Sequence, residues 1–147
     1  MALPKLLQFE TEEEYKVHYI KNYCMTCPIY TFDNIPVMFH EDSFEHAFYK
    51  RTHKSWGAQK DIFSILRGER MDWIRHALQD PNIIPKKGYD KAKNSYDNSR
   101  RVTFLTENNY LVVIFINKFR KGKFITAYIV DNEEAAKKIR NSPIWEE

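Results

Sequence analysis

The last third of the chain constrains the fold most. Arg101–Leu105, Tyr110–Asn117 and Phe124–Val130 are three runs rich in β-branched and aromatic residues, and Asn108-Asn109 and Lys121-Gly122-Lys123 separate them. Short runs of this kind joined by turn residues read as consecutive antiparallel strands. Such a meander is stable only when one face is buried, and the cheapest cover is a layer of helices.

The preceding residues supply that layer. Thr11 and Glu14 form a capping box at the start of a helix over residues 11–22, with Tyr15, Tyr19 and Ile20 as a thin apolar stripe. Residues 24–39 read as a linker with extended pieces near Ile29–Phe32 and Ile35–Phe39, broken by Asp33-Asn34. Asp42 or Ser43 caps a second helix through about Arg51, whose Phe44, Ala47 and Phe48 follow helical spacing. Lys60–Gln79 is the best helical pattern, carrying Ile62, Phe63, Leu66, Trp73, Ile74, Ala77 and Leu78. Gly68 weakens it by about 1 kcal/mol relative to alanine, so a kink or break is expected there. Ile83–Asp90 reads as a short strand, residues 91–99 as a polar loop, and residues 131–139 as a last helix capped by Asp131 or Asn132.

Helices first and a meander afterwards predict an α+β fold, with N-terminal helices packed on one face of a roughly four-stranded antiparallel sheet and a short C-terminal helix. In the last strand, Ile125, Ala127 and Ile129 make the better helix-facing side. Phe124, Thr126, Tyr128 and Val130 are then expected to look outward. Residues 1–36 read as an N-terminal extension, a helix plus a Cys-x-x-Cys loop, before a main domain at 37–147.

Composition narrows the function classes. The chain has 147 residues with 22 Phe, Tyr and Trp against four Gly, which fits a packed globule of one domain. No apolar run reaches the roughly 18 residues that span a bilayer. The N-terminus lacks a signal-peptide pattern, so a soluble cytoplasmic protein without a membrane partner is expected. Charge is unevenly spread. Residues 1–49 carry a net −5, residues 50–101 a net +7 and residues 102–147 a net +1. The basic middle points to a polyanion partner or to a solvated basic face. Cys24 and Cys27, the only cysteines, offer half a zinc site or a redox pair, but no second pair accompanies them. Reduced thiols in a loop are the plainer expectation. No Gly-rich phosphate loop, nucleophile elbow or His-Glu-x-x-His is present.

Three segments stand in order: HEDSFEHAFY at 40–49, RGERMDWI at 67–74 and KFITAYIV at 123–130. Together they resemble the phage-associated branch of the barnase–EndoU–colicin–RelE-like (BECR) nuclease superfamily. The likeness runs over residues 37–131 by motif order. It implies N-terminal helices on a four-stranded antiparallel sheet and a metal-independent endoribonuclease, a candidate toxin of phage or mobile-element origin. It also implies RNA, with tRNA as one candidate, as substrate, and an acidic immunity or antitoxin protein as partner. No cofactor is called for.

Metal-independent RNA cleavage needs a base for the 2′-hydroxyl proton, an acid for the leaving oxygen, and cations or donors for the phosphorane. His46 is the first choice for proton transfer because histidine titrates near neutral pH; His40 is a weaker one, and His53 and His76 read as solvated helix-end residues. Arg67 is placed with His46, Thr126 and Tyr128 as catalytic. Arg70, Arg101, Lys60 and Lys118 are placed as substrate-binding, since a guanidinium fork matches phosphate oxygens. Arg100 and Arg101 alternate faces, so one of them at most points at the site. Thr126 and Tyr128, two apart on a strand, present hydroxyls to one face. Each has a plainer reading: a surface helix histidine, arginines paired with Glu69 or Asp72, and ordinary strand threonine and tyrosine. No glutamate sits on a core strand as a barnase-like base; Glu107 lies beside a turn. A non-catalytic nucleic-acid- or partner-binding module on the same scaffold is therefore the alternative.

Overall fold

The computed structural model describes residues 3–50, 62–90, 95–96 and 101–145. Its first helix, α1, spans Glu12–Tyr19, and the Thr11 hydroxyl accepts from the Glu14 backbone N–H as the capping box requires. The helix widens into a π-helical turn over Ile20–Cys24, so the expected helix to residue 22 is present but changes pitch. Two short strands follow, β1 (Ile29–Tyr30) and β2 (Pro36–Met38). Helix α2 is Ser43–Phe48, and strand β3 (Tyr49–Lys50) continues from it.

The long helix expected at 60–79 is not formed as one piece. Ile62–Phe63 is a strand, β4, paired antiparallel with β3. Helix α3 is the single turn Ile65–Gly68, capped by the Ser64 hydroxyl, and α4 is Trp73–Gln79. Two local preferences explain the division: Ser64 caps a new start, and Gly68 lies against aromatic side chains. A Cβ there would stand 2.7 Å from Phe63 Cζ and 3.2 Å from Tyr15 Cδ1. The chain turns where α1 and β4 approach it closely.

The strands β5 (Lys86–Lys87), β6 (Tyr89–Asp90), β7 (Ser95–Tyr96), β8 (Arg101–Leu105), β9 (Tyr110–Ile116) and β10 (Gly122–Ile129) follow, and α5 (Glu133–Arg140) ends the succession. The strand expected at 83–90 is thus two short pieces. β6 pairs with β7 as a ribbon, and β7 lies inside the stretch read as a polar loop. Asn132 caps α5 through the Glu134 and Ala135 N–H groups.

The main sheet has six strands in the order β1-β2-β10-β9-β8-β5, and the β2–β10 pairing is parallel. The expectation of a four-stranded, wholly antiparallel sheet is corrected here; the α+β class stands. The meander β8-β9-β10 is antiparallel as read. The added strands come from residues 29–38, whose short extended pieces carry too few residues to advertise themselves as sheet members. β2 meets β10 only at Gly122 and Lys123, and Gly122 permits this because a Cβ would stand 3.2 Å from both Pro36 O and Val37 Cγ2.

One face of the sheet carries the main core. Val102, Phe104, Tyr110, Val112, Ile114, Ile116, Phe124 and Ala127 pack there against Tyr15, Tyr19, Tyr23, Phe44, Phe48, Ile74 and Leu78. Rings dominate: Tyr19 lies within 6.5 Å, centroid to centroid, of Tyr23, Phe39, Phe44, Phe48 and Phe124. Residues 12–30, within the segment read as an extension, share this core and sheet. The opposite face holds a smaller cluster of Leu111, Val130 and Ala136 with Leu105, Val113, Tyr128 and Ile139, so α5 covers one end of the second face.

A bulge between Phe124 and Thr126 sets the facing of β10. Phe124 is buried in the main core and Ala127 lies on the same side, three residues on. Phe124 therefore faces the helices, not outward as expected, because the extra residue reverses the alternation. Thr126 and Tyr128, opposite Val113 and Leu111, do lie on the second face.

Among the described residues, no helix is long and apolar enough to cross a membrane.

Candidate functional site

Arg67 is the centre of the best-formed polar site. It sits in the last turn of α3, which touches β10, while α2 packs along the same strand. Its Nη1 donates to the carbonyls of Ala47 and Tyr49, both at 3.3 Å, and its guanidinium carbon lies 5.1 Å from the centroid of the Tyr128 ring. Among the described residues no carboxylate pairs with it. The side chain is half-buried, and that burial pulls its pKa down from the ordinary arginine value. A cation held in low dielectric without its own anion is prepared for an anionic ligand.

Two further hydroxyls stand by. Thr126 Oγ1 and Tyr110 Oη are buried and have no hydrogen-bond partner among the described residues. Tyr110 is fully buried at the start of β9, and burial pushes its phenol pKa up while the charges of Arg70 and Arg67 pull it down. Buried polar atoms without partners are uncommon and cost about 1–3 kcal/mol each. Tyr110, on the core face, feels the charge of Arg67, while Thr126 shares the second face with Tyr128, whose ring lies beside Arg67. Tyr110 is the residue that sequence reasoning missed. Its place among apolar neighbours in Tyr110–Ile116 reads as core, and only the fold brings it under the two arginines.

The other expected residues are placed as follows. His46 lies on the exposed side of α2, one position before Ala47, whose carbonyl receives Arg67. Arg70 is committed elsewhere: it pairs with Glu69 at 2.7 Å, donates to Leu66 O and lies over Trp73. The carboxylate pairing weighed for both arginines is made by Arg70, and among the described residues not by Arg67. Arg101 is exposed on the second face, opposite Phe115. Lys118 is exposed in the β9–β10 turn with its Nζ 5.2 Å from the Phe119 ring centroid. Lys60, His53 and Arg100 lie outside the described residues. The structure therefore joins Arg67 to Tyr128, sets Thr126 on the same face of β10 as Tyr128, and leaves Arg101 and Lys118 away toward the other end of the meander.

His40 contributes its backbone, its carbonyl accepting from Tyr19 Oη at 2.7 Å. Cys24 and Cys27 are free thiols; Cys27 Sγ donates to Cys24 O at 3.0 Å, and burial pushes the Cys24 thiol pKa up. Among the described residues no three His, Cys, Asp or Glu side chains gather as metal ligands. A cleft of about 560 Å³ lies apart from this site, lined by His76, Asp80, Lys86, Glu107 and Arg140 among others. Its mixed charges select no one ligand class.

Comparison with known protein families, with curated proteins and with solved structures finds no match.

Proposed function

We propose that this chain is a small endoribonuclease that cleaves RNA by attack of a 2′-hydroxyl on the adjacent phosphate. The observation that carries the reading is the half-buried Arg67 guanidinium, without a carboxylate partner among the described residues, beside Tyr128, which shares a face of β10 with Thr126. In the reaction a base removes the 2′ proton and the 2′ oxygen bonds to phosphorus. The P–O5′ bond then breaks as an acid protonates the leaving oxygen. The products are a 2′,3′-cyclic phosphate and a 5′-hydroxyl. Negative charge grows on the phosphorane oxygens, where a preorganised cation in low dielectric is most effective. Arg67 fills that role. Thr126 and Tyr128 donate hydrogen bonds, and His46 is the proton-transfer group because it is the imidazole on α2, next to Ala47, whose carbonyl accepts from Arg67. The order of the three motifs, and the BECR-like function they imply, support the same reading. An acidic immunity or antitoxin protein is the partner such a nuclease requires, and a toxin of phage or mobile-element origin is the matching biology.

The test is incubation of total RNA and tRNA with purified protein in EDTA, beside His46→Ala and Arg67→Lys. Cleavage with cyclic-phosphate ends that falls about 10²–10³-fold in each variant supports the proposal. A folded native protein that binds RNA but leaves it intact, with His46→Ala unchanged, favours a non-catalytic binding module instead.

A further inference from the structure

The β9–β10 turn is built to display an aromatic ring among cations. From Asn108 to Val130 the sequence has no Asp or Glu and carries Lys118, Arg120, Lys121 and Lys123. The turn joins Ile116 to Gly122, and Asn117 Oδ1 ties it down by accepting from the N–H groups of Phe119 (2.9 Å) and Lys121 (3.0 Å). Asn117 N donates to Lys121 O at 2.9 Å across its base. Arg120 takes φ 62° and turns its guanidinium away, donating to the carbonyls of Asp33 (2.7 Å) and Asn34 (3.3 Å) in the β1–β2 connection. A left-handed arginine is an uncommon conformation, and these bonds hold it. The result is that Phe119, 71% exposed, is held outward in an ordered turn, with Lys118 beside its ring and Lys121 and Lys123 exposed nearby.

β10 connects this turn to the Arg67 site. Lys123 pairs with Phe115, which pairs in turn with Arg101, so two exposed cations flank a half-buried ring across the second face. Thr126 and Tyr128 follow on that face. Lys123 and Tyr128 stand opposite Phe115 and Leu111, four residues apart on β9, about 13 Å at the strand rise of roughly 3.3 Å per residue.

We propose that the β9–β10 turn and the Lys123–Arg101 row bind a single strand of RNA, with Phe119 stacking on a base and Lys118, Lys121, Lys123 and Arg101 holding phosphates. Single strands are favoured over duplex because an outward ring can stack only on a base that is not paired within a helix. The charge, free of acidic residues across the whole hairpin, selects a polyanion. This deepens the ribonuclease reading by naming the conformation of its substrate, and its test stands apart from catalysis.

The experiment measures binding of the full chain to a fluorescent 2′-O-methyl RNA strand, which cannot be cut by 2′-hydroxyl attack, and to the same strand annealed to its complement. Phe119→Ala is expected to weaken single-strand binding at least about fivefold, the low end of one lost base stack. Lys118→Gln/Lys121→Gln is expected to lower the slope of log K against log salt by about 1.4, two phosphate contacts at roughly 0.7 each. Duplex is expected to bind more weakly and to ignore Phe119→Ala. Unchanged binding by both variants, equal duplex binding sensitive to neither, or binding to phosphatidylserine vesicles without RNA binding would each overturn the proposal. Far-UV circular dichroism checks that the variants fold. Binding that behaves as expected without any cleavage of unmodified RNA retains this proposal and rejects the nuclease. Cleavage with KM and binding indifferent to Phe119 does the reverse.

Discussion

Replacing Arg67 by methionine separates a functional arginine from a structural one. The guanidinium makes two hydrogen bonds at 3.3 Å, long enough that each contributes no more than about 0.5–1 kcal/mol. The Tyr128 ring contact adds about 0.5–1 kcal/mol at a partly solvated site. Against these stands the desolvation of a half-buried cation with no carboxylate partner among the described residues. For a fully buried ion that cost is several kcal/mol, so about 2 kcal/mol is a fair figure for partial burial. Methionine keeps the apolar stem packed and removes the charge. The terms cancel to within about 1 kcal/mol. Breaking a buried ion pair would instead cost about 3–5 kcal/mol. Urea unfolding reads the difference directly. With m near 2 kcal/mol/M, the midpoint is expected to move by no more than about 0.5 M. RNA cleavage is expected to fall about 10²–10³-fold in the same preparation. A midpoint lowered by more than about 1 M at constant m refutes the reasoning, because Arg67 would then be a clamp joining α3 to the end of α2.

Other outcomes follow from single groups. Thr126→Val removes a buried hydroxyl that has no partner among the described residues, so stability is expected to stay level or rise by up to about 1 kcal/mol while cleavage falls; a lower melting temperature would show that the hydroxyl is satisfied in solution. Tyr110→Phe and Tyr23→Phe make an opposed pair. Tyr110 Oη has no partner among the described residues, whereas Tyr23 Oη donates to Met71 O and meets Asp72 Oδ1, both at 3.0 Å, so the first change is expected to stabilise and the second to cost about 1–2 kcal/mol. Equal effects in chemical denaturation would contradict this. Gly88→Ala would set a Cβ 2.7 Å from Arg101 Cβ, next to the strand pairing, and is expected to destabilise by about 1–3 kcal/mol; a neutral result would mean that β5 moves freely against β8. The Tyr49 hydroxyl donates to Glu12, which holds its phenol pKa up to about 12. An unfolded tyrosine titrates near 10. Between those values the unfolded chain gives up a proton that the native state keeps, so the contribution is full below pH 10 and lost as pH rises through about 12. Tyr49→Phe is expected to show a shallower decline of stability over that window; an unchanged slope would place the coupling elsewhere.

The physics of short-range order explains what the sequence could say. Thr11 and Asn132 cap helices because their side chains reach N–H groups two or three residues away, and nothing remote is needed. The β8-β9-β10 meander is legible for a similar reason: two-fold alternation and turn residues specify hairpins locally. Thr126 and Tyr128 share a face by the same alternation, and the bulge that turned Phe124 into the core lies just before them. The remainder depended on distance in space. β1 and β2 are too short to carry a pattern, and they become strands because β10 offers β2 an edge and β2 in turn offers one to β1. Lys60–Gln79 holds a helical spacing on either side of the polar interval Arg67–Arg70, but Phe63 is drawn to Tyr49 and Tyr15, and tertiary packing overrides propensity. Arg67 and Arg70 look equivalent along the chain. Only the fold gives Glu69 to one and leaves the other over Tyr128, because carboxylate neighbours are set by where the turn after Gly68 directs each side chain.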